Sequence, residues 1–340
     1  MTKALNVAVL GATGLVGETI INLLHERQFP VDTLFPLASN RSLGKTVDFG
    51  GKAIDVIDAD SFDYRQAAIG LFSAGGSVSR VHAPRAAEAG CVVIDNTSEF
   101  RYDADVPLVV PEVNPEAIDE YRNRGIIANP NCSTIQMLVA LKPLHDVVPI
   151  RRLSIATYQA VSGAGRNNVE KLAKQTADLL NARPLELDDA EKQIAFNALP
   201  HIDTFEDNGY TREEMKMVWE TRKILAVDEL AVSATCVRIP SFFGHSEAVQ
   251  IEFEDALSAE QARQILAAAP GIEVLDEHRL GGYPTAVTEA SGNDPVYVGR
   301  IRDDISLQHG LCLWIVADNV RKGAALNSVQ IAEILVKNLL

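Results

Sequence analysis

The chain has 340 residues, enough for about two domains, and 47% of them are hydrophobic, which is ample for packed cores. Its formal net charge of −15 repels nucleic acid and anionic membranes, so we expect neither as a partner, and a negatively charged small substrate would need a local basic pocket. The first residues form no signal-peptide hydrophobic region and no apolar run reaches membrane-spanning length, so we expect a cytoplasmic protein.

The first predicted element is an apolar strand at residues 5–10, which leads into the turn GATGLVG at 11–17 and then a helix. This order is typical of a dinucleotide-binding unit. Gly11 permits the tight turn, Gly14 lets the backbone approach a pyrophosphate at the helix N-terminus, and Gly17 lets the helix pack on the strand. The spacing is a variant of the standard fingerprint, and a plain strand–helix turn is the alternative.

The end of the second predicted strand, residues 34–38, indicates which dinucleotide is bound. An NAD-preferring site would place Asp or Glu here to bind the ribose 2′-hydroxyl. The chain instead offers Ser39, Arg41 and Ser42, which suit a 2′-phosphate. We therefore expect NADP as the cofactor, with a polar surface loop as the alternative.

Two further strands are predicted at residues 69–73 and 92–96. The first leads into the small residues 74–77 before a helix that starts near Val78, and small residues at strand ends leave room for a cofactor. Asn96 ends the next strand and could bind nicotinamide or substrate. The first half is therefore expected to be a doubly wound α/β unit, a Rossmann-type nucleotide-binding domain.

The segment NPNCST at residues 129–134 places a cysteine where a turn gives way to the apolar run at 135–141. Proline and asparagine favour the turn, and Ile135 and Leu138 fall at helical spacing. Cys132 is therefore expected in the first turn of a helix, whose dipole favours the thiolate. A thiolate is a strong nucleophile toward acyl carbon.

The other cysteines, Cys91, Cys236 and Cys312, lie in apolar, strand-like sequence and are expected to be small buried hydrophobes. The four cysteines are far apart and form no CxxC or Cys/His cluster. This pattern argues against structural zinc or a disulfide framework and favours a reducing cytoplasm, so no metal is expected.

The second half is predicted to be an α+β domain whose open sheet face could bury against a twin. Thr211 and Glu214 have the spacing of a capping box at the start of one of its helices. The last helix is expected to return to the nucleotide domain. The predicted strands span residues 152–160, 230–239, 247–253 and 311–316, and the predicted helices span 168–180, 211–225 and 323–340.

Several motifs occur together in one order along the chain. They are the glycine turn at 11–17, NPNCST at 129–134, Gln159 before SGAG, and RIP at 238–240 leading to Gly244 and His245. In this order the chain resembles the aspartate-β-semialdehyde dehydrogenase family, essentially from end to end. The resemblance implies a homodimer with an NADP-binding domain at 1–132, completed by the C-terminal helix 319–340, and a substrate-binding and dimerisation domain at 133–318.

The resemblance also implies a reaction, the NADPH-dependent and reversible reductive dephosphorylation of L-aspartyl-4-phosphate to L-aspartate-4-semialdehyde. This step belongs to lysine, threonine, methionine and diaminopimelate biosynthesis. Cys132 would attack the acyl phosphate and form a thioester, which hydride then reduces. His245 resembles the family's acid/base, a role that suits an imidazole titrating near the working pH, and Gln159 would orient the acyl intermediate.

Further roles follow from the same resemblance. Arg238 would clamp the α-carboxylate and Glu213 would meet the ammonium, while Arg101 and Lys216 would hold the phosphate, assisted by Asn96. Glu213 and Lys216 are three residues apart and so share one helix face. The expected cofactor-binding residues are Gly11, Thr13, Gly14, Leu15, Val16, Ser39, Arg41, Ser42, Ala74, Gly75, Ser162, Gly163 and Asn319.

Alternatives remain open at this stage. Without the resemblance, Arg238 can be interpreted as a paired structural arginine. His245 and Arg101 can be interpreted as surface residues, and Glu213 and Lys216 as a solvated pair on one helix face. Another thiol-dependent acyl-phosphate reductase, such as N-acetyl-glutamyl-phosphate reductase or a glyceraldehyde-phosphate dehydrogenase, would share the thioester chemistry. A non-catalytic paralogue is the alternative from another class.

Overall fold

The computed structural model describes residues 4–188 and 191–338, which form two compact units. The first unit comprises the residues up to Asn131 together with those from Gly323 onward, and the second spans Cys132–Lys322. The domain boundaries expected from the resemblance, after residues 132 and 318, stay a prediction. Residues 339 and 340 of the predicted last helix lie outside the described residues.

The helices and strands alternate through the first unit and then follow a mixed order in the second. In chain order they are β1 (Leu5–Leu10), α1 (Leu15–Glu26), β2 (Val31–Ala38), β3 (Thr46–Phe49), β4 (Lys52–Asp55), β5 (Ile57–Asp58), β6 (Ile69–Phe72), α2 (Gly76–Glu88), β7 (Val92–Asp95), β8 (Ile126–Ala128), α3 (Cys132–His145), β9 (Ile150–Gln159), α4 (Arg166–Leu180), α5 (Arg212–Leu225), β10 (Ala231–Arg238), β11 (His245–Phe253), α6 (Ala259–Ala268), β12 (Ile272–Val274), β13 (Val296–Asp303), β14 (Gly310–Ala317) and α7 (Leu326–Asn338).

The first unit is built on a parallel sheet with the strand order β5-β2-β1-β6-β7-β8. Apolar side chains of β1, β6, α1 and α7 pack into one buried cluster, as expected for a parallel sheet that is covered by helices. The chain leaves β1 toward β2 on one side and later adds β6 on the other. A doubly wound sheet binds its ligand at such a switch point, beyond the carboxyl ends of the strands.

The second unit contains a mixed sheet with the strand order β10-β9-β11-β14-β13-β12. The helix α3 packs against β9, β11 and β14 and against the helices α5 and α6. Its residues from Ser133 to Leu141 are all buried, which explains why its sequence is apolar almost all round. Neither α3 nor any other helix in the described ranges has the length and hydropathy of a membrane span.

The two-domain α/β fold class is therefore confirmed, but several local predictions were incomplete. The strands β12 and β13, the helix α6 and the hairpin β3–β4 were not predicted. The helix α2 begins at Gly76 rather than near Val78, and Cys91 lies one residue before β7. The last helix begins at Leu326 because residues 321–325 form a wider, π-type turn.

Candidate active site

The thiol of Cys132 lies at the first residue of α3, which confirms its predicted place at a helix N-terminus. It is partly exposed, whereas the other three cysteines are buried. Arg238, the last residue of β10, carries a charge that interacts with Cys132. Burial lowers the pKa of Arg238, and the negative charges of Glu213 and Cys132 oppose that effect. The helix dipole and a partly buried guanidinium therefore both favour the thiolate.

His245 begins β11 and is completely buried. The backbone N–H of Ala160 donates a hydrogen bond to His245 Nδ1 at 3.0 Å. Since Nδ1 accepts this bond, the neutral ring carries its proton on Nε2. Burial, followed by the charge of Arg238, lowers the pKa of His245 to about 3. This direction differs from the expectation that the ring titrates near neutral pH, because burial and the neighbouring charge of Arg238 both disfavour the imidazolium.

Gln159 ends β9 and joins three elements around the site. Its Oε1 accepts a hydrogen bond from Thr157 Oγ1 at 3.0 Å, and its Nε2 donates to Glu213 Oε1 at 3.0 Å. The same Nε2 lies 3.4 Å from His245 Nε2. The amide orientation is therefore set by the carboxylate, which needs a donor.

Glu213 and Lys216 share one face of α5, as predicted. Lys216 Nζ lies 2.9 Å from Glu213 Oε2 and 2.8 Å from Asp203 Oδ2. Burial alone would lower the pKa of Lys216, but the two carboxylates raise it above its usual value. Asp203 lies outside every predicted strand and helix, and no local signal singled it out. With two carboxylates and one ammonium, the cluster carries a net negative charge.

The predicted capping box fixes the start of α5. Thr211 Oγ1 accepts the backbone N–H of Glu214 at 3.3 Å, and Glu214 Oε2 accepts that of Thr211 at 2.7 Å. Glu214 Oε1 also accepts the backbone N–H of Cys236 at 3.0 Å. One capping residue therefore connects the helix that carries Glu213 to the strand that ends at Arg238.

The turn after β9 approaches the reacting groups closely. A Cβ atom added at Gly163 would lie 3.2 Å from both Arg238 Nη1 and His245 Nε2. Arg238 Nη1 also donates to the carbonyl of Ala160 at 2.6 Å. Gly163 therefore leaves open the space that His245 Nε2 faces.

Asn319 connects that turn to the residue before His245. Its Oδ1 accepts the backbone N–H of Gly244 at 2.9 Å and the hydroxyl of Ser162 at 3.1 Å. Gly244 has φ +81°, and a Cβ there would lie 2.6 Å from the carbonyl oxygen of Ala286. Sequence reasoning assigned Asn319 and Ser162 to the cofactor, and it missed this structural connection between them.

In the first unit, a cleft of about 450 Å³ opens where β1, β2 and β6 end. Gly11 has φ +87°, and a Cβ there would lie 2.9 Å from the backbone carbon of Ser73. A Cβ at Gly17 would lie 2.2 Å from the carbonyl oxygen of Gly11. The lining includes six of the predicted cofactor-binding residues, namely Gly11, Thr13, Gly14, Ser39, Ser42 and Ala74, as well as Asp60 and His82.

This cleft fits a dinucleotide that carries a 2′-phosphate. No side chain caps α1 at Gly14, so the positive end of the helix dipole is available to a pyrophosphate. Ser39 precedes a short 3₁₀ turn that ends at Ser42, whose hydroxyl lies 3.3 Å from that of Thr13. Arg41 lies on the same turn with an exposed side chain, and no acidic residue stands at the end of β2.

The remaining predicted residues of the first unit have these places. Leu15 and Val16 are the first two residues of α1, and Gly75, with φ +97°, precedes α2. Arg101 is 6% exposed, so the interpretation as a surface residue was wrong, and its Nη2 donates to the backbone carbonyl of Asn96 at 2.9 Å. The side-chain amide of Asn96 donates to Phe72 O at 3.1 Å and accepts from Ser328 Oγ at 2.9 Å.

Known proteins match both units. Residues 6–121 match the family described as semialdehyde dehydrogenase, NAD binding domain, and residues 141–322 match semialdehyde dehydrogenase, dimerisation domain. Aspartate-semialdehyde dehydrogenase of Shewanella sp. strain DB6705 is 61% identical over 338 residues, which are 99% of each chain. The chain belongs to the aspartate-semialdehyde dehydrogenase family.

Solved structures of aspartate-semialdehyde dehydrogenases share the fold. Aspartate semialdehyde dehydrogenase II from Vibrio cholerae is 58% identical with a TM-score of 0.97, over 99% of this chain and 100% of that one. The same enzyme has been solved in complex with ASA. The Candida albicans enzyme, solved with NADP, is 28% identical with a TM-score of 0.78, over 99% of this chain and 100% of that one.

Membership of the aspartate-semialdehyde dehydrogenase family makes this chain an NADP-dependent oxidoreductase. The resemblance inferred from the motifs and the expected cofactor are thereby confirmed. The roles of individual residues stay predictions. Sequence reasoning predicted Glu214 as a capping residue, whereas no sequence signal singled out Asp203 or the amide of Ala160.

Proposed function

We propose that this chain catalyses the reversible reductive dephosphorylation of L-aspartyl-4-phosphate by NADPH, giving L-aspartate-4-semialdehyde and phosphate. The step would serve lysine, threonine, methionine and diaminopimelate biosynthesis. One observation carries the proposal. The thiol of Cys132 stands at a helix N-terminus under the charge of Arg238, in the same unit as a neutral His245 whose Nε2 faces the space at Gly163.

In the first step, the Cys132 thiolate attacks the acyl carbon of the substrate. A C–S bond forms, and the C–O bond to phosphate breaks with its electron pair going to the phosphate. A thioester to Cys132 remains. The helix dipole and the guanidinium of Arg238 supply a positive field that favours the thiolate over the thiol.

NADPH, when bound, supplies a hydride to the thioester carbon. Negative charge then develops on the oxygen of that carbon, and His245 donates a hydrogen bond to it from Nε2. The oxygen reforms the carbonyl, the C–S bond breaks, and the aldehyde leaves while Cys132 returns as the thiolate. The low pKa of His245, about 3, means that it acts as a neutral donor in this step. Gln159 holds the carbonyl in line through its fixed amide.

The charges of the second unit suit the two ends of an aspartyl group. Arg238 offers a guanidinium to the α-carboxylate. Glu213 is 5% exposed and pairs with Lys216, which also pairs with Asp203. The three charges together are net negative and therefore suit the substrate ammonium. An N-acetylated substrate has no ammonium, so this cluster favours the free amino acid. Phosphate binding by Lys216, Arg101 and Asn96 stays a prediction from the resemblance.

We also propose that the enzyme is a homodimer in the cytoplasm. The second unit matches a family description that names dimerisation. Tyr158, 36% exposed, and the partly buried Trp314 place their rings 5.6 Å apart on one face of its sheet, and an aromatic pair of this kind suits burial against a second copy. None of the four cysteines forms a disulfide, as expected in a reducing compartment.

The test is an absorbance assay of NADPH formation by the purified chain. L-aspartate semialdehyde, NADP and phosphate should give rapid formation, and omission of phosphate should abolish it. Parallel assays replace NADP with NAD, and aspartate semialdehyde with N-acetylglutamate semialdehyde. Turnover of the N-acetylated substrate would indicate the related reductase. No turnover with any pair, while NADP still binds, would indicate a non-catalytic paralogue.

A further inference from the structure

Two titratable side chains line the cofactor cleft without a role in the contacts described so far. Among the described residues that line it, Asp60 and His82 alone carry such side chains. They reach the cleft from different elements, because Asp60 follows β5 by two residues and His82 lies in the middle of α2. His82 Nε2 lies 3.4 Å from Asp60 Oδ1. The pair therefore forms one polar group in the wall of the cleft.

The register of the parallel sheet places this pair beside the end of β2. The last two residues of β2 pair with β5, and the backbone N–H of Ala59 donates to the carbonyl of Ala38 at 2.9 Å. A dinucleotide in this cleft has its pyrophosphate at the N-terminus of α1 and its 2′-phosphate at the turn after β2. The base is bonded to the same ribose. It therefore belongs between residues 59–60 and the face of α2 that carries Val78 and His82.

Tyr64 holds the imidazole of His82 at its other ring nitrogen. The Tyr64 hydroxyl lies 3.0 Å from His82 Nδ1 inside the protein, where Tyr64 is 3% exposed and His82 is 5% exposed. Because Asp60 is an acceptor next to Nε2, the ring carries a proton on Nε2, and Nδ1 of the neutral ring accepts the Tyr64 hydroxyl. The Nε2–H is present whether the ring is neutral or charged, so it is a fixed donor.

Arg85 holds the backbone that carries Asp60. It lies on α2 three residues after His82, and its Nη2 donates to the backbone carbonyl of Asp60 at 3.2 Å. Its guanidinium also lies 5.9 Å from the centre of the Tyr64 ring. The side chain of Asp60 is 80% exposed, so it can contact a ligand without leaving a buried partner behind. A donor on a buried ring and an acceptor on the rim are thus presented side by side.

We propose that Asp60 and His82 recognise the base of the dinucleotide and make the cleft specific for adenine. Adenine presents its N6 amino group next to an unprotonated ring nitrogen, which is a donor beside an acceptor. Asp60 accepts from N6, and His82 Nε2 donates to the ring nitrogen. Hypoxanthine has an oxygen in place of the amino group, and a carboxylate cannot donate to it. This inference rests on NADP as the cofactor and is independent of the proposed reaction.

The test is the ratio of the dissociation constants of NADP and nicotinamide hypoxanthine dinucleotide phosphate, measured with the full chain by isothermal titration calorimetry. The two ligands carry the same charge and differ only in the base, so the overall field of the cleft cancels in the ratio. We expect the parent to bind the hypoxanthine analogue about tenfold more weakly, the equivalent of one charge-assisted hydrogen bond. Equal affinity for the two ligands in the parent would overturn the proposal.

Asp60→Asn tests the acceptor. It should reduce the ratio to less than about threefold, because an amide can turn its N–H toward the oxygen of hypoxanthine. Asp55→Asn is the matched control, since it removes an exposed charge on β4 that does not line the cleft, and it should keep the parent ratio. If Asp60→Asn changed the affinity for both ligands by the same factor, Asp60 would act through its charge or on the ribose, and the proposal would be wrong.

The donor requires two variants, because the ring of His82 also bonds to Tyr64. His82→Gln keeps an N–H near the position of Nε2, whereas His82→Leu removes it. His82→Leu should weaken NADP binding by about tenfold, and His82→Gln by less than about threefold. Equal losses in the two variants would show that His82 only fills space, which would overturn its assigned role. The exposed position of Asp60 keeps the proposal testable even if His82→Leu does not fold.

The fragment 2′,5′-ADP and its inosine counterpart locate the discrimination, since neither contains nicotinamide. They should differ in affinity by the same factor as the dinucleotides in the parent and lose this difference in Asp60→Asn. Discrimination that occurred only with the complete dinucleotides would contradict recognition of the base at Asp60 and His82. Because every measurement is of binding, a chain that distinguishes the two bases but lacks phosphate-dependent turnover would refute the proposed reaction and leave this inference intact.

Discussion

The cleft of the first unit is lined mainly by small residues, whereas the cluster of the second unit consists of buried side chains that form hydrogen bonds and ion pairs with one another. In the cleft, Gly11 fits because it has no Cβ, and a Cβ at this position would lie 2.9 Å from the backbone carbon of Ser73. In the cluster, Gln159 is 1% exposed, Glu213 is 5% exposed and His245 is completely buried. Shape decides what the cleft can bind, and electrostatics in a dry site decide what the cluster can do.

The difference predicts how each region responds to substitution. In the cleft, the loss of an exposed side chain removes one contact, and water replaces it. In the cluster, the loss of one partner leaves another polar group buried without compensation, which costs about 1–3 kcal/mol, and more for a charge. Substitutions in the cluster should therefore change catalysis strongly, while those on the rim of the cleft should change cofactor affinity moderately.

The largest effect is expected from removal of the nucleophile. Cys132→Ala should lower phosphate-dependent NADP reduction by at least about 10⁴-fold, because no other thiol of the chain is partly exposed at a helix N-terminus. NADP affinity, measured by fluorescence titration, should stay the same, since the cleft lies in the first unit. Cys312→Ala is the control and should retain turnover. Residual activity near that of the parent would refute the assignment of Cys132.

An intermediate effect is expected at the glycine beside the reacting groups. In Gly163→Ala, the new Cβ lies 3.2 Å from both Arg238 Nη1 and His245 Nε2, so these groups must shift by a few tenths of an ångström. Misalignment of this kind should lower kcat by about 10²-fold, as measured in the same assay, without lowering Tm.

Gly90→Ala provides the opposite control for that prediction. Gly90 has φ +88° and open space around its Cα, so alanine there strains the backbone without touching the site. It should lower Tm by a few degrees and leave kcat unchanged. If Gly163→Ala instead lowered Tm and retained kcat, the space at Gly163 would have no part in the reaction.

Features coded by neighbouring residues could be predicted from the sequence. The glycine turn after β1, the helix start at Cys132 and the capping box of Thr211 with Glu214 were all predicted correctly, because turn chemistry and capping act over a few residues. The strand β13 was missed because its glycine and arginines, in VYVGRIRD, interrupt the apolar alternation. Its place is fixed by pairing with β14.

Features that depend on burial could not be predicted in the same way. The family resemblance identified His245, but nothing in its neighbouring sequence states that the ring is completely buried or that Ala160 donates to Nδ1. The same holds for Asp203, which meets Lys216 only when distant parts of the chain come together. Side-chain identity was available from the sequence, whereas protonation state required the folded environment.

The smallest effect is expected on the rim of the cleft, at the predicted 2′-phosphate site. Arg41 is exposed on the turn after β2, so its interaction with a phosphate is partly screened by water. Arg41→Ala should raise the KM for NADP by about tenfold, the equivalent of one charge-assisted contact, and leave the KM for NAD unchanged. Lys52→Ala, which removes an exposed charge on β4, should change neither value.

Ionic strength makes this last prediction sharper. An exposed arginine acts over a Debye length of about 10 Å at 0.1 M salt and about 3 Å at 1 M, so the difference in KM between Arg41→Ala and the parent should shrink as salt rises. The loss of turnover in Cys132→Ala should not change with salt, because it removes a covalent step. An equal rise in the KM for NAD would show that Arg41 supports the shape of the cleft and does not bind the 2′-phosphate. The cleft would then resemble the cluster in its response to substitution, although its residues are more exposed.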